Sequence, residues 1–586
     1  MSRPRKRRSD QACTLTGRVR GRQRAAGRTY NARLVGHHVR FPGATLIAAA
    51  TLLAILPSCS GSGGSQATST KEGGVLRIGT DSGIDSTNPY VAENTDSWTT
   101  FEYIYPELVQ YDAKLQIAPD FASSWTTSPD GKTWTFHTRA GAHWSDGTPL
   151  TADDAAWTIQ TDLRYQSGAT AAFAATLAHA VSASAPNTTT LIIHYAQPVA
   201  NVLAQLQQLV ILPEHIWGRY AAHGGSGLKT FQNPAPAVSG GPFILQEFKK
   251  GDIALFKRNP EWWGPKPHVD GFGLQMFSDD DAMIEALKTH QLDAVELVPP
   301  TSVKTVDQAG FVVSHSAGIQ TTYLSINSNP KKPAHRELLN PLVRQAFDLA
   351  TDRAGIDKVA YLGYAEPAGS VIAPATGLWH DPAIKPEPFD IAQANALMDQ
   401  AGYKMGADGI RIADGHPMSY KVIFPSWFRG AGDRIFNILQ TDYREIGVQL
   451  IQQNMDGDAA FNAITAPNNK YLNFDLNLGW WQPYVDPDFQ LSVFICSQYG
   501  GWSDSGYCNP AYDQMYQQQG TLMDLSQRKA LVWKMQELLA KDRPYININY
   551  PDWIEAHSPT WTGFVMTPQG SFNEMSDLTM LEVHRV

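Results

Sequence analysis

Hydrophobic and polar positions fall into three successive patterns along this 586-residue chain, and each predicts a different kind of structure. Residues 44–55 form a continuous apolar run behind an arginine-rich leader, and Leu56-Pro57-Ser58-Cys59 follows it. Such a run is too short for a stable bilayer span, so residues 1–58 read as a cleaved export signal. Residues 59–74 are mostly Gly, Ser, Thr and Gln with little to bury, which predicts a flexible tether. From Val75 onward the pattern is that of a folded protein with mixed elements. Alternating or β-branched runs predict strands at Val75–Thr80, Thr133–Thr138 and Thr190–Tyr195. Thr151, with Asp154 three residues later, predicts a capping box at the start of a helix. Asp390 opens a second helix that runs to Ala401 and closes at Gly402. Residues 435–446 predict a helix leading through Gly447 into a strand at 448–453. Ser526 is the expected cap of a long helix with Leu531, Met535, Leu538 and Leu539 on one face, ended by Pro544. No repeat is present, and the mixture implies α/β or α+β domains.

The leader changes the reading of charge. It holds 12 of the chain's 47 Lys+Arg and one of its 56 acids, Asp10, so the processed chain has 35 basic residues against 55 acidic ones. A body this acidic has no basic patch for nucleic acid or for an anionic membrane surface. The roughly 525 remaining residues exceed a single core and predict two or three domains. Charged residues are sparse at 18%, while 16 Trp and 22 Tyr supply material for cores and ligand walls alike. Of four cysteines, Cys496 and Cys508 lie beyond the leader region; in an exported protein they most simply form a disulfide. Leu56-Pro57-Ser58-Cys59 resembles a bacterial lipobox, with Pro57 as the unusual position. Cys59 would then become diacylated and form the mature N-terminus, each buried methylene contributing about 0.8 kcal/mol to anchoring.

Several blocks carry a specific resemblance. They are Trp144-Ser145-Asp146-Gly147-Thr148-Pro149-Leu150-Thr151-Ala152-Asp153-Asp154, then Gly240-Gly241-Pro242-Phe243, then Lys257-Arg258-Asn259-Pro260-Glu261-Trp262-Trp263-Gly264. Ala350-Thr351-Asp352-Arg353, Arg444-Glu445-Ile446-Gly447-Val448 and residues 479–488 follow in order. In content and order these blocks resemble the family-5 extracellular solute-binding proteins of ABC importers, the group of dipeptide- and oligopeptide-binding proteins, over about residues 74–586. The resemblance implies an α/β, two-lobed periplasmic-binding-protein-like clamp (type II, cluster C) with an extra domain inserted in lobe one. By analogy, lobe one combines residues 75–117, 235–320 and 553–586, the inserted domain is 118–234, and lobe two is 321–552. Locally, Ser145-Asp146-Gly147-Thr148-Pro149 is turn chemistry and Asn259-Pro260 ends a strand, so these blocks read as scaffold.

The resemblance places the ligand zone at Gly479-Trp480-Trp481-Gln482-Pro483-Tyr484-Val485-Asp486-Pro487-Asp488. In peptide-binding relatives an aspartate three residues after the first Trp of this loop pairs with the peptide α-amino group. Here that position is Pro483, so capture of a free N-terminus would need a shifted anchor at Asp486 or Asp488. Tyr323, Trp427, Trp480, Trp481, Tyr484 and Trp502 border the cleft in the implied fold, and Arg429 is the candidate partner for a ligand carboxylate. An enzymatic reading of Asp486 and Asp488 as paired carboxylates has little support, since a turn explains them. No nucleophile elbow, zinc-protease helix or P-loop accompanies them.

The expected function is therefore non-enzymatic: a lipid-anchored, monomeric protein outside the cytoplasm that captures a peptide or peptide-like solute and delivers it to an ABC permease with a separate ATPase. It needs no cofactor or metal. An oligosaccharide or metal chelate as solute, or a signalling or cell-wall role on the same fold, are the alternatives.

Overall fold

The computed structural model describes residues 72–81, 83–428, 430–465, 473–482, 484–572 and 577–586. The expected export signal, Cys59, nearly all of the expected tether, Arg429 and Pro483 lie outside the described residues. At the end of the expected tether the Gly73 N–H donates to the His268 carbonyl at 2.8 Å and the Gly74 N–H to Asp270 Oδ2 at 2.9 Å. Among the described residues no helix is long and apolar enough to cross a membrane.

One strand organises the molecule. Tyr545–His557, 13 residues long, pairs through its first half with Thr321–Ile326 and Ala365–Pro367, and through its second half with Val312–Ala317 and Ala294–Val295. On the first side the sheet continues through Leu476–Trp481, Ser419–Pro425 and Gln449–Met455. The last two run parallel, which requires a crossover, and the helix Ala431–Glu445 supplies it. On the second side Val75–Thr80 lies parallel to both Ala294–Val295 and Gly271–Met276, followed by the antiparallel strands Ile253–Arg258 and Phe243–Lys249. The fold is thus a two-lobed α/β clamp built on strands that pass between the lobes. The chain crosses once between Ala317 and Thr321 and again along Tyr545–His557. The crossings touch where a Cβ on Gly318 would stand 2.3 Å from the Pro551 carbonyl oxygen, so only glycine fits.

The inserted domain is a four-stranded antiparallel sheet (Ala122–Thr127, Thr133–Thr138, Thr190–Tyr195, Ala180–Asn187) with the helix Ala152–Tyr165 against it. Thr151 and Asp154 form the expected capping box. Its core is continuous with that of lobe one, joining Phe136, Ile159 and Trp217 to Phe101, Phe243 and Phe272. The three N-terminal resemblance blocks meet at this seam. Trp144 is fully buried, and a Cβ on Gly240 would come within 2.8 Å of its ring. Ser145 and Ser239 exchange hydrogen bonds, while Asn259 Nδ2 donates to the Gly241 carbonyl at 2.9 Å. These blocks join the inserted domain to lobe one. Arg353 plays the same part in lobe two: buried, it donates to the carbonyls of Asn547 and Ala368 and pairs with Asp348.

Three expected boundaries shift. The long C-terminal helix is Leu525–Asp542, and Asp524 caps it by accepting from Gln527 N at 2.8 Å, where Ser526 was expected. Its buried face is Arg528, Val532, Met535, Gln536 and Leu539, with Leu531 and Leu538 only partly covered, because Arg528 and Gln536 are drawn inward by polar partners. The helix expected from 435 starts at Ala431, where Asp433 accepts from Gly430 N, and the following strand runs Gln449–Met455. The Asp390 cap holds, and Gly402 has φ +88° as its closing role requires.

Burial is the chief cause that pushes several carboxyls upward, among them Asp577 to about 8, Glu555 to about 7, and Asp120, Asp442 and Asp504 to about 6. Between the ordinary carboxylate range and these values the folded protein holds protons that the unfolded chain has released. Stability is therefore greatest in mild acid and is lost as pH rises through about 6 to about 8. The thermal midpoint is expected to fall by a few degrees between about pH 5 and about pH 8; a flat or rising profile in scanning calorimetry would contradict this burial.

Candidate ligand-binding cleft

The aromatic side chains expected at the cleft form a cluster in lobe two, and strand and loop geometry explain how it is built. Trp480 and Trp481 end the strand Leu476–Trp481, so alternation turns them to opposite faces. Trp480 packs against the lobe-two core and meets Trp427 edge-on, with centroids 5.2 Å apart. Trp427 is half exposed. On the other face Trp481 meets Phe489 at 5.6 Å and Trp502 at 6.1 Å, Phe489 meets Trp502 at 5.7 Å, and Phe461 covers Trp502 from outside at 5.7 Å. Trp502, 46% exposed, stands on the loop that the Cys496–Cys508 disulfide closes, as the cysteine spacing predicted.

Behind Trp481 lies a polar support. Its Nε1 donates to the Tyr545 hydroxyl at 3.1 Å, Tyr545 donates to Asp504, and Tyr323 donates to the other Asp504 oxygen at 2.8 Å. The Tyr323 and Tyr545 rings stack at 3.9 Å and 5°. Tyr323 is 2% exposed, so it braces the wall from behind. The disulfide thus ties down both Trp502 and Asp504. Replacing both cysteines with serine is expected to cost about 3 kcal/mol of stability and to weaken solute binding. Denaturant unfolding and a binding titration, each with and without reductant, measure the two effects.

The loop after Trp481 turns its acid inward. Asp486 is held bidentately by Arg528, at 2.6 and 2.8 Å, and its side chain is 11% exposed. Arg528 also donates to Gln519 Oε1 and lies over the Trp379 ring at 4.7 Å. Asp488 accepts from Gln519 Nε2 at 2.8 Å, and burial followed by the Asp486 charge pushes its carboxyl up. The two acids named as a shifted anchor are therefore a buried structural knot, and their role is to hold Tyr484 and Val485 forward. Those two residues touch lobe one, packing with Tyr111, Leu115 and Ile117. The lobes meet again where the Ala200 N–H donates to the Gly520 carbonyl at 2.9 Å.

Between these contacts lies a cavity of about 140 Å³, bounded by Tyr484 from lobe two and by Trp98, Glu102, Glu107, Phe173 and Gln208 among others from the opposite side. Sequence reasoning missed this opposite wall. Its only local signal is that Trp98 and Glu102 stand one turn apart on the helix Thr95–Ile104. It also missed Phe489, just past the loop, and Phe461, Asp504, Tyr545 and Arg528, which are farther from it in sequence. No group of three His, Cys, Asp or Glu that could hold a metal occurs among the described residues.

Two lobes on shared crossing strands, closing over an aromatic-walled cavity, define a protein that holds a solute between its lobes. The family model described as bacterial extracellular solute-binding proteins, family 5 Middle, matches residues 116–502, and the chain belongs to that family. It is 28% identical to Protein XP55 of Streptomyces lividans over 504 residues, 85% of this chain and 88% of that protein. It is 24% identical to the glutathione-binding protein GsiB of Shigella flexneri over 523 residues, 86% and 94% of the two. The ABC transporter-associated periplasmic binding protein DppA of Helicobacter pylori, solved with the peptide STSA, superposes with a TM-score of 0.72 at 23% identity, covering 88% of this chain and 98% of that one. This protein is accordingly an extracytoplasmic solute-binding component of an ABC transporter and not an enzyme.

Proposed function

We propose that the protein is a monomer tethered to the outer face of the cell membrane through diacylated Cys59, and that it captures a peptide or peptide-like solute for an ABC permease. The observation that carries the reading is the interlobe cavity, where Tyr484 of lobe two faces aromatic, amide and carboxylate side chains from the opposite side. Flat rings give a peptide contact area with little rotamer entropy to lose, and the flanking amides and acids can take up its polar groups. Crossings beside Gly318 and Pro551 support lobe ranges of 75–117, 235–320 and 553–586 against 321–552, with 118–234 inserted. Those crossings are then the hinge, and solute shifts the population toward the closed form that a permease recognises.

Native mass spectrometry of protein purified without refolding tests the cargo. A carried short peptide supports the proposal; an oligosaccharide or a metal chelate would replace peptide as the solute class. Release of a Cys59→Ala variant into the medium, with the parent retained on membranes, tests the anchor.

A further inference from the structure

The inserted domain reaches the cleft. Its connecting segments carry Phe173, Thr176, Gln208 and Val210, which line the interlobe cavity beside Trp98 of lobe one. Phe173 is 2% exposed and meets the Trp98 ring edge-on with centroids 5.5 Å apart, so the inserted domain and lobe one form that side of the cavity as one surface.

Two loops of the same domain touch lobe two. The hairpin turn between Ala122–Thr127 and Thr133–Thr138 is fixed by the Gly131 N–H, which donates to the Ser128 carbonyl at 2.9 Å, and by Ser128 Oγ, which donates to Asp130 Oδ1 at 2.6 Å. It is tied to the neighbouring segment where the Tyr195 N–H donates to the Lys132 carbonyl at 2.8 Å. Gly131 has φ +68°, and a Cβ there would stand 3.2 Å from both Met523 Cγ of lobe two and Pro198 Cβ. Any larger residue is strained by the backbone and crowded by lobe two at once. Just past Pro198, the Ala200 N–H donates to the Gly520 carbonyl of lobe two at 2.9 Å.

The receiving turn, Gly520 to Met523, is equally well held. It joins the helix Pro510–Gln519 to the helix Leu525–Asp542. Gln519, immediately before it, is fully buried between Arg528 and Asp488, and Arg528 is the residue that also pins the loop carrying Tyr484 and Val485. One buried knot therefore backs both surfaces that lobe two presents across the cleft. Met523, 41% exposed, brings a flexible thioether against Gly131, and such a side chain suits a contact that forms and breaks.

We infer that the inserted domain is a third jaw of the clamp: it supplies part of the cavity wall and, through Gly131, Pro198 and Ala200, latches onto the Gly520–Met523 turn of lobe two. Closure is then held from two sides, by Tyr484 and Val485 against lobe one and by Met523 against the inserted domain. The inference rests on the hinge reading above and is independent of which solute is carried.

The test measures the separation of the inserted domain and lobe two by double electron–electron resonance in the purified protein, with and without a casein peptide digest. Nitroxides are carried on p-acetylphenylalanine at the exposed positions Ser182 and Glu537. The parent is compared with Met523→Ala, with Gly131→Val and with Leu525→Ala, a control at an exposed apolar residue close to Met523 in sequence. The parent is expected to show a short-distance population, and Met523→Ala and Gly131→Val to lower its ratio to the long-distance population about threefold or more, with Leu525→Ala unchanged. If Gly131→Val misfolds, Met523→Ala, at a surface position, carries the test. A short-distance population that grows with the digest and falls in the variants upholds the latch and the peptide reading together; one that responds to the variants but not to the digest upholds the latch and counts against peptide as the solute. A parent without any short-distance population under either condition, an unchanged ratio in Met523→Ala, or an equal loss in Leu525→Ala would each overturn the inference.

Discussion

Replacing Arg528 with alanine is expected to lower unfolding stability by about 3–5 kcal/mol, because it leaves the Asp486 carboxylate buried without its partner. Asp488 lies next to it, and Arg528 also fixes Gln519 and covers Trp379, so the loss spreads over the contact between the loop and the long C-terminal helix. The same variant should bind solute poorly even where it is folded, since the knot is what presents Tyr484 and Val485 to lobe one. Urea unfolding gives the first number and a titration of the folded fraction the second. A double variant, Arg528→Met with Asp486→Leu, should recover much of the stability, because an apolar pair leaves no unpaired charge. If the single replacement costs less than about 1 kcal/mol, the pair is not the anchor described here.

Truncating Trp480 to alanine should weaken solute binding by about 30-fold, the loss typical of a central aromatic contact. Its indole supports Trp427 edge-on, so removing it takes away one platform and loosens a second. Trp427→Ala, at a half-exposed position, should cost less in affinity and almost nothing in stability. Titration with the solute identified by mass spectrometry measures both, and circular dichroism verifies that the strand Leu476–Trp481 remains. Unchanged affinity in Trp480→Ala would remove this wall from the site.

Particular residues explain why some of this was legible in the sequence. Val75–Thr80, Thr133–Thr138 and Thr190–Tyr195 form as predicted, since β-branched alternation between turn signals is a local property. Caps at Thr151 and Asp390 are equally local. Ser526 failed as a cap because Asp524, two residues earlier, competes for the same N–H groups. Of the expected aromatic set Tyr484 lines the interlobe cavity, while Tyr323 and Asp486, expected to face the ligand, are buried. Nothing near Asp486 in sequence announces Arg528, 42 residues on, and nothing near Trp481 announces Tyr545.

The sequence by itself determined the export signal pattern, the acidity of the body, the mixed element types, the cysteine pair and the family blocks, all of which depend on composition or short spacing. Tertiary structure alone decided which acids point inward and which face the cavity, because that choice turns on partners brought from distant segments. Asp486 meets an arginine and becomes scaffold, whereas Glu102 and Glu107 line the interlobe cavity. The physical reason is desolvation: a carboxylate's role follows from what replaces its water, and only the folded chain specifies that.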